Sequence, residues 1–254
     1  MEDFTLIGPD LPDPFRLMIR ESAHSTNDEV RVLAEAGAPH GLVILAQKQL
    51  AGRGRRGAAW FAPPGESLAF SILVRPQEPK AFWPRLALAA GLAVAEAIEN
   101  YVPLAGIKWP NDLWLNGKKL GGILVEAGKD FAVVGIGLNL HTTEFPGEVA
   151  AIATSLKLET GAEISRPEVL AEIIRHFAHR HTQIGADFSE MLTGIRERCA
   201  LTGHHVTLST ADGPRHGLIE GIGPSGELLL RDEKGVHALI QADEIRTVPH
   251  SSPS

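Results

Sequence analysis

The segment from residue 107 to residue 140 constrains the fold more than any other part of this chain of 254 residues. Two runs rich in apolar and β-branched residues, 107–115 and 118–127, flank Asn116-Gly117, a dipeptide that strongly predicts a β-hairpin. A third run with strand character follows at 131–140. The segment therefore predicts an antiparallel meander, whose apolar face must be covered by helices.

The elements on either side predict an α/β (α+β) architecture, in which a mixed sheet is flanked by helices. A helix is expected from Ser25-Thr26-Asn27, which can cap it, to a glycine stop at Gly37. Residues 166–184 place apolar side chains on one helical face. The other predicted elements are strands at 42–46 and 68–74, a helix at 81–100, and short strands at 205–209, 217–222, 227–230 and 236–240.

The change to short strands after residue 203 predicts two domains. We expect a first domain over residues 1–201 and a small β-barrel over residues 202–254, which ends in a polar tail from 249. Turn-forming residues separate the short strands, as in many small barrels.

Composition and charge exclude several classes of protein. A formal net charge of -7 gives no overall positive field for non-specific binding to nucleic acid. The single cysteine, Cys199, can form neither an intrachain disulfide nor a cysteine-rich zinc site, which favours a reducing compartment. The acidic N-terminus and the short apolar run at 86–98 predict neither a signal peptide nor a membrane span. We therefore expect a cytoplasmic protein that binds neither DNA nor a membrane.

Glycine and arginine alternate in the segment 52–57, which reads Gly-Arg-Gly-Arg-Arg-Gly. The pattern matches a dinucleotide-binding fingerprint, but that fold needs a helix directly after the glycines. Here Ala58, Ala59, Trp60 and Phe61 follow, and then two prolines. Flexible backbone with three guanidinium groups suits an anion such as phosphate. A solvated basic loop explains the segment equally well at this point.

Two further clusters carry chemically useful side chains. In Lys108-Trp109-Pro110-Asn111-Asp112, the lysine can stabilise charge on a transferring phosphoryl group and Asp112 can hold Mg²⁺. A surface turn beside a buried tryptophan is the plainer interpretation. The glycine pairs in 118–126 and 135–139 lie inside predicted strands and suggest close approach of a ligand or of another backbone. A β-bulge is the alternative at the first pair.

Taken in order, these motifs resemble those of the biotin protein ligase family. The motifs are Ser25-Thr26-Asn27, 49–57, Lys108-Trp109-Pro110-Asn111-Asp112, 119–126 and 135–139. The resemblance covers about residues 20–140 and, more loosely, 203–248. It implies a catalytic domain related to class II aminoacyl-tRNA synthetases and a C-terminal SH3-like barrel.

The resemblance also implies a reaction and roles for individual residues. Biotin would be activated by ATP, with Mg²⁺, to biotinyl-5′-AMP and joined to a lysine of the biotin carboxyl carrier protein of a carboxylase. Lys108 and Arg55 would be catalytic, and Asp112 would hold Mg²⁺. The biotin-binding residues would be Ser25, Thr26, Asn27, Gln49, Arg53, Gly54, Arg55, Trp60, Lys108 and Gly122, and the ATP-binding residues would be Arg53, Arg55, Arg56, Asn111, Lys119 and Asn139.

Two features depart from what members of this family often show. Ala58-Ala59 stands where another basic residue often follows the arginine segment. About 20 residues precede the first motif, too few for a DNA-binding helix-turn-helix, so no repressor role is expected. A homodimer remains open, because the strands do not show which sheet edge is free.

Other functions compete with this interpretation. A lipoate or octanoate protein ligase shares the superfamily, although the basic segment argues against it. A nucleic-acid-binding module could use the arginine loop and the barrel, but the net charge of -7 opposes it. A homologue that has lost activity could bind biotin or its adenylate, although the motifs are intact.

Overall fold

A computed structural model describes residues 2–210, 213–242 and 245–248. The tail predicted from residue 249 lies outside these residues. The strands are Arg16–Arg20 (β1), Leu42–Ala46 (β2), Ser67–Val74 (β3), Gly106–Lys108 (β4), Asp112–Leu115 (β5), Lys118–Ala127 (β6), Ala132–Asn139 (β7), His205–Thr210 (β8), Gly213–Ile222 (β9), Leu228–Asp232 (β10), Gly235–Leu239 (β11) and Ile245–Thr247 (β12). The α-helices are Thr26–Glu35 (α1), Arg85–Ala97 (α2), Val149–Ile152 (α3), Leu156–Thr160 (α4), Arg166–Arg180 (α5) and Phe188–Glu197 (α6).

The larger sheet has seven strands in the order β1-β2-β3-β7-β6-β5-β4. Strands β1 and β2 pair in parallel, and every other neighbouring pair is antiparallel. Strands β3 and β7 are buried along their whole length, which explains why they read as continuous apolar runs. The mixed sheet and its antiparallel meander from β4 to β7 confirm the predicted fold class.

The strand predicted at 107–115 is in fact two strands. Strand β4 ends at Lys108 and β5 begins at Asp112, with Pro110 in the turn between them. Proline lacks the N–H that a ladder position requires, so the strand has to break there. The Asn116-Gly117 hairpin is confirmed, and both residues have positive φ, 49° and 78°.

Helix α2 lies against the sheet and is almost entirely buried. It is shorter than the helix predicted at 81–100, because residues Lys80–Phe82 form a separate 3₁₀ turn before Pro84.

Helix α1 ends as predicted, with Gly37 at φ 92° just beyond it. The helix predicted at 166–184 ends at Arg180 and continues as a 3₁₀ turn, His181–Ile184.

A charged cluster joins α2 to α5. The Glu96 carboxylate accepts hydrogen bonds from Arg180, with Nη2 at 2.5 Å, and lies 3.3 Å from His176 Nδ1. Burial by itself would raise the pKa of Glu96, but the hydrogen bonds from His176 and Arg180 outweigh it and lower the pKa to about 2. The carboxylate is therefore charged in the folded protein at neutral pH.

The C-terminal strands form a second, antiparallel sheet of five strands in the order β11-β10-β9-β8-β12. This confirms an all-β module, although β12 was not predicted. The Trp109 indole Nε1 donates to Gly226 O at 2.9 Å, and Arg196 Nε donates to Ile222 O at 2.8 Å. Buried side chains of both sheets belong to one continuous apolar cluster. The division into domains at residues 201 and 202 stays a prediction.

None of the helices in the described ranges has the length and apolar character that crossing a bilayer requires.

Candidate active site

A cavity of about 210 Å³ lies where the N-terminus of α1, the loop 49–60 and the strands β5, β6 and β7 meet. Apolar side chains from β3 and β6, including Phe70 and Ile123, form part of its wall. The predicted site residues that line it are Ser25, Thr26, Asn27, Gln49, Arg53, Gly54, Arg55, Trp60, Asn111, Asp112, Lys119 and Gly122. The structure therefore brings most of the sequence motifs to one place.

One end of the cavity is polar and buried. Ser25, Thr26 and Asn27 are each 4% exposed or less, although their side chains carry hydrogen-bonding groups. The backbone N–H and the hydroxyl of Thr26 both donate to Gln49 Oε1, at 3.0 and 3.1 Å. Buried polar groups of this kind need partners, and Thr26 finds one in Gln49 beside the cavity.

Two residues that sequence reasoning did not assign to the site complete this polar end. Ser71 Oγ lies 2.6 Å from Asn27 Oδ1 and 2.7 Å from Thr26 Oγ1. Asn27 Nδ2 donates to Glu126 Oε2 at 2.6 Å. The sequence signal available for Ser71 was its place as the one polar residue in the apolar run 68–74.

Glycines on strand β7 make room for the two side chains that approach it. A Cβ at Gly135 would lie 2.2 Å from Asn27 Oδ1, and a Cβ at Gly137 would lie 2.3 Å from the Trp60 ring. The sequence predicted close approach of a ligand or of another backbone, whereas the groups that approach these glycines are two side chains, an amide and an indole. The Trp60 Nε1 is buried without a hydrogen-bond partner among the described residues. This nitrogen faces strand β7, where a Cβ at Gly137 would lie 2.6 Å from it, so the indole packs on the strand.

The other end of the cavity carries charge. Lys119 Nζ lies 2.8 Å from Asp112 Oδ1, and both side chains line the cavity. The pairing of β5 with β6 shifts register between Leu113 and Trp114, so β6 contains a bulge beside Lys119. The bulge brings the Lys119 ammonium to the side of Gly122, where a Cβ would lie 3.4 Å from it. Bulges commonly redirect side chains beside active sites.

The arginine segment folds back over this end. Gly54 N donates to Ala58 O and Trp60 N donates to Gly52 O, at 2.7 and 2.8 Å. Only a short 3₁₀ turn, Arg55–Gly57, follows the first glycines, which excludes the dinucleotide-binding interpretation. The segment is a closed loop that covers the cavity.

Two arginines of this loop have different partners. Arg55 Nη1 donates to Asn111 Oδ1 at 3.0 Å, and its Nη2 donates to Ala242 O in the C-terminal module at 3.3 Å. Burial, assisted by Arg56, lowers the pKa of the Arg55 guanidinium. Arg53 forms two hydrogen bonds with Asp28, at 2.5 and 2.9 Å, and these raise the pKa of Arg53.

Comparisons with known proteins identify the family. A model of the biotin/lipoate A/B protein ligase family matches residues 20–141. A biotin-[acetyl-CoA-carboxylase] ligase of Paracoccus denitrificans is 35% identical over 231 residues, which are 86% of this chain and 95% of the relative. The chain belongs to the biotin protein ligase family. A bifunctional ligase/repressor of Bacillus subtilis is 34% identical over 89% of this chain and 73% of its own length.

The fold agrees with that of solved members of the biotin protein ligase family. The biotin protein ligase from Aquifex aeolicus, solved in complex with biotin and ATP, superposes with a TM-score of 0.82 and is 31% identical in sequence. The match covers 91% of this chain and 99% of that chain. It therefore includes the C-terminal module as well as the larger sheet.

Three residues expected in a biotin protein ligase site lie outside the cavity lining. Lys108, the first candidate for catalysis, places its Nζ 4.1 Å from the centre of the Trp114 ring, because the aromatic face attracts the ammonium group. Asn139 is buried and donates to Thr154 O at 3.1 Å. Arg56 is exposed at the tip of the loop with φ 57°. The lysine that lines the cavity is Lys119.

Proposed function

We propose that this chain activates biotin with ATP to biotinyl-5′-AMP and transfers biotin to a lysine of the biotin carboxyl carrier protein of a carboxylase. One observation carries the proposal: a single cavity joins a buried hydrogen-bonding end to a cationic end. Biotin has a cyclic urea at one end and a carboxylate at the other, so it complements both. Because ATP is a substrate, we place the reaction in the cytoplasm.

The polar end would bind the cyclic urea, which has one carbonyl acceptor and two N–H donors. Asn27, Thr26 and Ser25 offer oxygen atoms to the N–H groups, and Gln49 offers its amide to the carbonyl. The Trp60 indole and Phe70 would pack on the apolar part of the ligand. A site built from buried hydrogen-bonding groups rejects analogues that lack the partners, because its own groups are then left unpaired.

The cationic end would carry the first chemical step. A biotin carboxylate oxygen attacks the α-phosphorus of ATP, a P–O bond to that carboxylate forms, and the bond to pyrophosphate breaks. Lys119 lines this end of the cavity, and it would hold the carboxylate beside the phosphate and stabilise negative charge as it develops. Arg55 and Asn111 would hold the nucleotide on the opposite side.

Asp112 is the carboxylate that would hold Mg²⁺ at this end. Mg²⁺ in nucleotide sites is usually bound by one or two carboxylates together with the substrate phosphates and water. The Asp112 carboxylate, beside the expected position of the phosphates, fits that donor set. In this structure it forms an ion pair with Lys119 Nζ at 2.8 Å. The ion would screen the charge of the phosphates.

The second step transfers the acyl group. The neutral ε-amine of the carrier lysine attacks the acyl carbon of the mixed anhydride, a C–N bond forms, AMP leaves and the amine loses a proton. Water attacks the same anhydride, so the closed loop over the cavity would also shield the intermediate. The Arg55 hydrogen bonds to Asn111 and Ala242 hold that loop against both modules.

Mass spectrometry tests the proposal directly. The protein is incubated with Mg²⁺ and ATP plus biotin, lipoate or octanoate, and the acyl-adenylate is measured. We expect biotinyl-AMP with biotin and essentially none with the other acids. A biotin carboxyl carrier domain, added next, should gain the mass of one biotinyl group, whereas its Lys→Arg variant at the acceptor position should not. Adenylation of lipoate or octanoate in preference to biotin would overturn the substrate assignment.

A further inference from the structure

We propose that Glu126 is a positioning residue for biotin recognition, and that it sets which atom of the Asn27 amide faces the ligand. The inference rests on the proposed function, because it concerns the same cavity. Glu126 lies near the end of β6 and is not among the residues that line the cavity. It would act on biotin through Asn27.

The first step is the orientation of the Asn27 amide. An amide side chain has one oxygen and one nitrogen of similar shape, so its surroundings decide which way it points. Only the nitrogen can approach a carboxylate, and Asn27 Nδ2 lies 2.6 Å from Glu126 Oε2. Asn27 Oδ1 is therefore the atom that accepts from Ser71 Oγ at 2.6 Å, and its second lone pair is the one that would accept from the ligand.

Gln49 is oriented independently of Glu126. The Thr26 backbone N–H, which can only donate, lies 3.0 Å from Gln49 Oε1. The Thr26 hydroxyl lies 3.1 Å from the same oxygen and 2.7 Å from Ser71 Oγ. With Oε1 occupied in this way, the Gln49 amide nitrogen is the atom left to donate to a ligand. The cavity therefore presents donor and acceptor atoms in a fixed order.

The fixed order matches a cyclic urea and would not survive a flipped Asn27 amide. A flip would point N–H groups at the N–H groups of the ligand and would leave donors unpaired in a buried site. Gly135 leaves space for the amide, since a Cβ there would lie 2.2 Å from Asn27 Oδ1. Two acceptors orient the amide nitrogen, and the Glu126 carboxylate, at 2.6 Å, is much closer than Leu124 O at 3.4 Å.

Glu126 also lies near two arginines, so an experiment must distinguish its contact with Asn27 from its contacts with them. Arg31 Nη2 is 3.8 Å from Glu126 Oε1, and Arg53 Nη2 is 3.8 Å from Oε2. Arg53 has a closer partner in Asp28, at 2.5 Å. The contact with Asn27 is the shortest that Glu126 makes to any of the three, at 2.6 Å.

The test exchanges the acid and amide groups between the two positions. Asn27→Asp sets two carboxylates against each other, and Glu126→Gln removes the charge that orients the amide. Each single change should weaken biotin binding, measured by calorimetry, roughly 10- to 100-fold. The double change Asn27→Asp with Glu126→Gln restores a donor opposite an acceptor, with Oδ1 still facing Ser71, and should recover most of the affinity.

Further measurements separate positioning from loss of folding. The KM for ATP and the kcat at saturating biotin should change only a few-fold in Glu126→Gln, and thermal unfolding of every variant should remain cooperative. Arg31→Met is the matched control, because it removes a Glu126 partner without touching the amide, and it should bind biotin like the unmodified protein.

Three results would count against the inference. A double variant that binds biotin as weakly as Asn27→Asp alone would overturn it, as would single variants with unchanged affinity. A loss of affinity in Arg31→Met equal to that in Glu126→Gln would assign Glu126 to the arginines instead. Failure of the unmodified protein to bind biotin would overturn the proposed function itself, which is a distinct outcome.

Discussion

Replacement of Lys119 by methionine should slow formation of the adenylate by roughly 100-fold or more. Methionine keeps most of the aliphatic stem and removes the charge, so the change isolates the ammonium group. Two unit charges 4 Å apart interact by about 4 kcal/mol at the effective dielectric constant of a site near the surface. The Lys119 side chain is 32% exposed, so solvent screening reduces its interaction with the developing charge to about 3 kcal/mol. Each 1.36 kcal/mol corresponds to a factor of about ten in rate.

The assay is release of pyrophosphate in a single turnover with saturating biotin and ATP. Lys118→Met is the matched control, because Lys118 is the exposed neighbour on the same strand and should change the rate less than about two-fold. Lys108→Met should slow the step far less than Lys119→Met, since its ammonium lies on Trp114. A larger loss in Lys108→Met than in Lys119→Met would refute the reasoning.

Three further predictions concern other parts of the molecule. Gly137→Ala should weaken biotin binding in calorimetry by roughly ten-fold, because a Cβ 2.3 Å from the Trp60 ring displaces the indole; unchanged binding would contradict this packing. The loop 52–57 should become more resistant to trypsin when biotin and ATP are added together, and equal cleavage in both states would exclude its role as a shield. Glu96→Gln should lower the free energy of unfolding at pH 7 by up to about 3 kcal/mol. That difference should vanish as the pH falls from 4.5 toward about 2, where Glu96 takes up its proton in the folded state, and urea unfolding at several pH values would show a constant difference if the pKa were not lowered.

The parts of the fold that the sequence predicts well are those decided by neighbouring residues. Asn116-Gly117 closes its hairpin because both positions need positive φ, which those residue types tolerate. Gly37 ends α1 for a similar local reason. Pro110 carries the same kind of local signal, and the single strand predicted across it is wrong because proline lacks the N–H that a ladder position requires.

The site is harder to predict because its contacts join distant parts of the chain. Ser71 and Glu126 meet Asn27 across 44 and 99 positions, so no local pattern reports either contact. The choice between Lys108 and Lys119 depends on a bulge in β6 and on the face of Trp114, and neither follows from the motif itself. The motifs thus predict which segments gather at the cavity, whereas packing between strands decides which side chains enter it.

A crystal structure with a non-hydrolysable analogue of biotinyl-5′-AMP would test the central claim most directly. We predict the cyclic urea against Asn27 and Gln49, and Lys119 Nζ within hydrogen-bonding distance, about 3 Å, of the oxygens where acyl group and phosphate join. Arg55 should contact the phosphate from the other side. An analogue bound outside this cavity, or a junction held by Lys108 with Lys119 still paired to Asp112 alone, would contradict the account.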